Sequence, residues 1–233
     1  MENGKLPAHF LARRIHSLSG IIPIGAFLLV HTYTNSKSLA PDGVALYNGA
    51  IKSFSEIPFL VFLEIVFVYL PILFHAGYGF VILYQGKSNV TRYGSEANIR
   101  YTLQRITGML ALVFIGYHVY ATRWTALFTG QPMEYLWMVR MFETPWKVWF
   151  YLAGTTAVCF HFANGLWTFL IVWGITVSRH SQRVALYACM AVFAGLSVVN
   201  LLMIANFTYY HQPAPVWIAA ILGFVKMFLF RGV

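Results

Sequence analysis

Four histidines, His31, His75, His118 and His161, stand in four different hydrophobic stretches of the chain, 44, 43 and 43 residues apart. A charged side chain inside a bilayer costs about 2.5 kcal/mol or more, so ionisable groups there come with a partner or a task. Neutral imidazole is a common metal ligand. Four of them in four helices predict two metal-bound pairs.

The elements that position them follow from composition. Of 233 residues, 59% are apolar and 10% charged, and the mean hydropathy is +0.65, outside the range of soluble globular domains. Long apolar stretches run over Ile15–Thr34, Ile57–Tyr84, Thr102–Thr125, Trp146–Val177 and Val184–Phe207, each near or above the ~20 residues that cross a hydrocarbon core. The expected fold is therefore all-α, an integral membrane bundle of five transmembrane helices. A further stretch, Val216–Phe230, is short and contains Lys226, so it reads as a hydrophobic C-terminal segment that spans only marginally or lies at the interface. Residues 1–212 read as the anchor domain and 213–233 as a tail. The first stretch follows Arg13 and Arg14 as a signal peptide would, but it has no small-residue cleavage site and contains His31, so it reads as a retained helix. Cys159 and Cys189 form no CxxC pair and read as small hydrophobes.

Loop charge sets the orientation, because Lys and Arg accumulate on the cytoplasmic side. With the N-terminus inside, one face holds Lys5, Arg13, Arg14, Lys87, Arg92, Arg100, Arg105, Arg179 and Arg183, and the other Lys37, Lys52, Arg123, Arg140 and Lys147. The chain is expected to start in the cytoplasm. Its net charge of +9 reads as topology and a docking surface for a partner or anionic lipid, with no nucleic-acid signal.

Depth follows at 1.5 Å per residue. His31 lies ~9 Å inside Lys37 and His118 ~8 Å inside Arg123, whereas His161 lies ~21 Å inside Lys147 and His75 ~28 Å inside Glu56. His31 is thus expected to pair with His118 near the outer face, and His75 with His161 nearer the inner face. Facing helices hold cofactors in this way. Zinc and copper sites recruit a third or fourth ligand close by, and none is apparent at either level. Two bis-histidine b-type haems fit better; with both axial positions filled, their role is electron transfer. Gly77, Gly79, Gly108, Gly116 and Gly165 allow close approach around the histidines, as glycine does throughout membrane helices.

Arg14, His16, Ser17 and Arg105 fall at the inner ends of helices one and three, where haem propionates would need partners. Arg123 and Lys147 fall at the outer ends; each of these cations also suits an interfacial anchor. A carboxyl within an apolar run can take up and release protons, which draws attention to Glu64, 11 residues before His75. Three whole turns would place it on the same face as His75 and ~16 Å nearer the outside. Glu56 is a second candidate, and a carboxyl bonded to a neighbouring helix is the plain alternative for Glu64.

The segments RRIHSLSGIIPIGAFLLVH (13–31), LEIVFVYLPILFHAGYG (63–79), LQRITGMLALVFIGYHVYATR (103–123) and FHFANGLWTFLIVWGITVSRHSQR (160–183) closely resemble the five-helix, di-haem cytochrome b anchor of bacterial succinate dehydrogenase/fumarate reductase. The likeness runs over about residues 10–207 and leaves the last ~25 without a counterpart. It implies two haems b, His75 and His161 binding the one nearer the iron–sulfur protein and His31 and His118 the distal one. It also implies a flavoprotein and an iron–sulfur subunit docked on the cytoplasmic side, a quinone substrate, usually menaquinone, and a place in the bacterial cytoplasmic (inner) membrane. Either direction, succinate oxidation or fumarate reduction, uses the same parts.

A di-haem anchor of another dehydrogenase or hydrogenase shares the histidine geometry but not the HFxNGLW and WGITV stretches. A haem-free transporter with histidines in a polar pathway is the rival of a different class. The chain has no GxGxxG in a strand–helix context and no cysteine set for an iron–sulfur cluster, so dicarboxylate chemistry is expected to belong to other subunits.

Overall fold

The computed structural model describes residues 8–86, 90–211 and 213–229. Lys5, Lys87 and Phe230 lie outside the described residues. In chain order the helices are α1 (Ala8–Ile21), α2 (Pro23–Ser36), α3 (Gly43–Ser55), α4 (Leu60–Glu64), α5 (Leu70–Gln85), α6 (Glu96–Val119), α7 (Thr125–Thr129), α8 (Tyr135–Phe142), α9 (Pro145–Val172), α10 (Arg179–Thr208) and α11 (Val216–Leu229). A 3₁₀ turn, Lys37–Leu39, extends α2; π turns at Ile65–Tyr69 and Tyr120–Trp124 join α4 to α5 and α6 to α7. No strand occurs among the described residues.

Among the described residues four helical runs are long and apolar enough to cross a membrane: Ala8–Leu39, Leu60–Gln85, Pro145–Val172 and Arg179–Thr208. A fifth run, from Glu96 to Thr129, has ample length and is less apolar, being interrupted by Gln104, Arg105, His118 and Arg123. The architecture is an all-α membrane bundle. Outward-facing apolar residues such as Phe62, Leu73 and Val113 are more than half exposed, as lipid-facing side chains are.

Local chemistry sets the ends. Pro23 supplies no backbone N–H, and the first run loosens into a turn at Ile22 while Ala26 still bonds the Ile22 carbonyl at 3.3 Å. The second run starts at Leu60, later than the expected Ile57, because Pro58 and the left-handed Phe59 (φ 56°) break the helix from α3. The helical measure from Glu56 to His75 is therefore too long. The WGITV stretch is a helix stop: Gly174 takes φ 71°, Ile175 N–H bonds the Leu170 carbonyl at 2.9 Å and Gly174 N–H that of Ile171 at 3.0 Å, a Schellman closure. The next helix opens on a reciprocal cap, with Ser181 N–H to Ser178 Oγ at 3.0 Å and Ser178 N–H to Ser181 Oγ at 3.1 Å, the logic of a capping box.

The chain divides into two compact units. The first holds the residues up to Leu28, Val61–Met109 and Phe160–Phe193; the second holds Leu29–Leu60, Leu110–Cys159 and Ala194 onward. In the first, α1 packs on α5, Arg13 donates to Gln85 Oε1 at 3.0 Å, and Trp167 Nε1 donates to the Gln182 carbonyl at 2.9 Å. The second has a core rich in aromatic rings, including Tyr47, Phe114, Tyr135, Phe142, Tyr151 and Phe207, with Leu222 and Val225 of α11 packed against it. Within that core Asn206 Nδ2 donates to the Tyr135 hydroxyl at 2.7 Å and to the Ser38 carbonyl at 3.0 Å. Burial pushes the Tyr135 phenol up to about 12, so it stays neutral. Neither α3 nor α8 stood out in the hydrophobic pattern; both are short connecting helices whose buried faces serve this core.

Candidate haem-binding site

The first unit brings His75 of α5 and His161 of α9 together, their ring centres 6.1 Å apart and their planes at 87°. Each ring is held from behind. His75 Nδ1 donates to the His16 carbonyl at 3.0 Å, and His161 Nδ1 donates to the Gln104 carbonyl at 3.0 Å. A carbonyl can only accept, so both rings carry the proton on Nδ1 and keep Nε2 free as a metal ligand.

The same spacing recurs on α1 and α6. Four residues beyond each carbonyl stands a glycine facing the ring: a Cβ on Gly20 would lie 2.6 Å from His75 Cε1, and one on Gly108 2.9 Å from His161 Cε1. Gly20 was not among the glycines singled out in the sequence. Of those that were, a Cβ on Gly165 would lie 3.3 Å from Gln104 Nε2 and one on Gly79 3.5 Å from His16 Cε1, whereas one on Gly77 or Gly116 would meet nothing within 4 Å.

The second unit pairs His31 of α2 with His118 of α6, ring centres 5.7 Å apart and planes at 78°. His118 Nδ1 lies 3.2 Å from the Tyr151 hydroxyl, whose own hydrogen is directed to Met141 Sδ at 3.5 Å. With Nε2 as a metal ligand, His118 carries its proton on Nδ1 and that hydroxyl accepts it. The backbone is pinned at both histidines from one turn on: Asn35 Nδ2 bonds the His31 carbonyl at 2.7 Å, and Thr122 Oγ1 bonds that of His118 at 2.6 Å. Tyr151 and Gln104 escaped the sequence reading, because a hydrogen bond to an imidazole leaves no periodic signal.

Two imidazoles on opposite sides of one metal ion, each ~2 Å from it, have ring centres roughly 6 Å apart. Both pairs meet that spacing. Among the described residues no group of three or more His, Cys, Asp or Glu could hold a metal ion, so a macrocycle that supplies the remaining donors fits these pairs and a bare zinc or copper ion does not. The residues present suit haem iron with two axial imidazoles.

The other candidates divide between the units. In the first, the His16 ring stacks on His75 at 4.0 Å and 14°, and its Nδ1 is buried without a hydrogen-bond partner. Ser17 is half-buried beside it. The Arg14 guanidinium lies 5.0 Å from the Trp173 ring centre, and that of Arg105 lies 3.8 Å from the Tyr101 ring centre while donating to the Ile82 carbonyl at 3.4 Å. Arg105 fills the space where a side chain on Gly86 would begin. In the second unit, Arg123 falls in the π turn Tyr120–Trp124, Lys147 lies 5.9 Å from the Trp146 ring centre, and Glu56 sits 4.0 Å from Lys52 with both largely exposed.

Glu64 belongs to the first unit and immediately precedes the π turn Ile65–Tyr69. A π turn inserts one extra residue and rotates the rest of the helix by roughly 100°. The expected common face of Glu64 and His75 is thereby lost, since simple periodicity assumed an uninterrupted α-helix.

Residues 87–200 match the family model for the succinate dehydrogenase/fumarate reductase transmembrane subunit. The chain is also 38% identical over 198 residues to the succinate dehydrogenase cytochrome b558 subunit of Bacillus subtilis (strain 168), covering 85% of this chain and 96% of that protein. The chain belongs to the family of succinate dehydrogenase/fumarate reductase transmembrane subunits.

Proposed function

We propose that this chain is the membrane-anchor cytochrome b subunit of a succinate:quinone oxidoreductase, with two haems b and a quinone, menaquinone, as its substrate. The observation that carries the reading is the two histidine pairs, each at iron-spanning distance, with His75, His161 and His118 held at Nδ1 so that Nε2 is left to bind. The name of the Bacillus subtilis relative, a cytochrome b subunit of succinate dehydrogenase, supports haem b and association with flavoprotein and iron–sulfur subunits.

The haems, when bound, carry electrons one at a time between the iron–sulfur partner and the quinone. The chain's own residues supply the rest. His75 and His161 hold one iron and His31 and His118 the other. Arg14, His16, Ser17 and Arg105 offer cationic and hydrogen-bonding groups to the propionates of the first, and Arg123 and Lys147 to those of the second. Glu64, with Glu56 as the second candidate, delivers protons to the reduced quinone. The N-terminus lies in the cytoplasm of a bacterium and the soluble partners dock on that side. Dicarboxylate chemistry takes place in those partners.

The test is haem quantitation on the purified complex with a redox titration followed at the b-type α-band. Two haems per chain with separate midpoints are expected. Absence of the α-band would overturn the reading. In His118→Ala one haem and quinone reduction should vanish while succinate oxidation with a soluble acceptor persists; normal quinone reduction there would refute the path.

A further inference from the structure

The two carbonyls behind the His75 and His161 rings are not anchored alike. On α6, the Gln104 side chain turns back: Nε2 donates to the His161 carbonyl at 3.0 Å, while the Gln104 carbonyl receives the His161 ring N–H at 3.0 Å. Gln104 and His161 thus grip each other at two points, backbone to side chain in both directions. Asn164, one turn beyond His161 on α9, adds a third contact through Nδ2 to Gln104 Oε1 at 2.8 Å.

Donor logic fixes both amides. The His161 carbonyl only accepts, so the nitrogen of Gln104 must face it; the oxygen of Gln104 is then turned to Asn164, which must answer with its own nitrogen. Asn164 Oδ1 is consequently left buried with no partner, in a residue only 1% exposed. An unpaired buried oxygen is unfavourable, and an apolar residue of like size would avoid it. The bond that Nδ2 makes is the offset. On α1 the corresponding position is His16, whose ring stacks on His75 and makes no such clamp.

We propose that Gln104 and Asn164 are a positioning pair that fixes the rotation and basicity of the His161 imidazole, and so tunes the haem it ligates. The inference rests on the proposal that the chain binds haem. A firm Nδ1–H···O=C bond makes the imidazole a stronger donor to iron, which favours the ferric state. It also holds the ring plane at 87° to that of His75, and the low-field g value of a low-spin ferric haem depends on the angle between its axial rings.

The experiment uses the assembled complex carrying Asn164→Leu, Gln104→Met or both, with each haem identified by its loss in His161→Ala or His118→Ala. The haem lost in His161→Ala should show a raised midpoint and a changed low-field g value in each single variant. The double variant should shift no further than the larger single one, because the pair acts as a unit. The haem lost in His118→Ala should be unchanged. An unaltered midpoint and g value with the α-band intact would overturn the proposal, as would equal changes in both haems or failure of both single variants to assemble, which would make the pair a folding element. Failure of the haem reading itself is distinguishable, since the unaltered protein would then lack the α-band.

Discussion

Gly20 meets His75 across two helices so closely that a β-carbon on residue 20 would fall 2.6 Å from Cε1 of the ring, and Gly108 stands to His161 in the same relation at 2.9 Å. The rings cannot simply swing aside, because their Nδ1 atoms are bonded to carbonyls on the same helices as the glycines. Gly20→Ala and Gly108→Ala should each displace an axial ligand and reduce haem content by about half, read from the pyridine haemochrome. Gly223→Ala, on α11, where an added Cβ would meet nothing within 4 Å, should keep full haem content. Equal haem in all three variants would show that the ring positions are not set by these contacts.

Tyr151 provides the corresponding support at the other pair. Its hydroxyl is the acceptor for His118 Nδ1, and Tyr151→Phe leaves that N–H buried and unpaired, a cost of about 1–3 kcal/mol. The weaker imidazole donor should raise the midpoint of the haem lost in His118→Ala and lower the denaturation midpoint of the purified complex. The other haem should titrate as before. A wild-type midpoint in Tyr151→Phe would mean that the hydroxyl contact is incidental.

A positive charge beside a haem favours the reduced, less positive form. Arg105→Gln should therefore lower the midpoint of the haem lost in His161→Ala, and the shift should shrink as ionic strength rises and screens the charge in the unaltered protein. Gly86→Ala should also shift that midpoint, because the Arg105 guanidinium occupies the space of its new methyl group and must move. If both midpoints are insensitive to Arg105, its stacking on Tyr101 is its whole role.

Much of this was legible in the residue order. Four of the five expected spanning helices are long, apolar runs, and the four histidines were conspicuous because imidazole is rare in such surroundings. The pairing of His31 with His118 and of His75 with His161, read from depth, coincides with the rings that meet. Hydrophobic periodicity could not convey where the α period fails. The left-handed Phe59 and the π turn Ile65–Tyr69 both fall between Glu56 and His75, so depth and face were misjudged along that segment. Gly20, Gln104 and Tyr151 act through single contacts to a ring on another helix, which arise only once the helices are packed.

The π turn also sharpens what Glu64 is expected to do. Eleven residues of α-helix would bring Glu64 within about 20° of His75, and one inserted residue moves it to roughly 80°. A carboxyl so turned is poorly placed to act on the His75 ring and remains able to serve a quinone approaching from another side of the helix. Glu64→Gln keeps the size of the side chain and removes its exchangeable proton. Proton transfer by a positioned side chain contributes about 10²–10⁴-fold, so succinate-driven quinone reduction should fall at least ~tenfold. Haem content, both midpoints and succinate oxidation with a soluble acceptor should stay at wild-type values. A variant that reduces quinone at the full rate would remove Glu64 from the proton path and leave Glu56 as the carboxylate to substitute. A variant that instead shifts the midpoint of the haem lost in His161→Ala would show that Glu64 faces His75 despite the π turn.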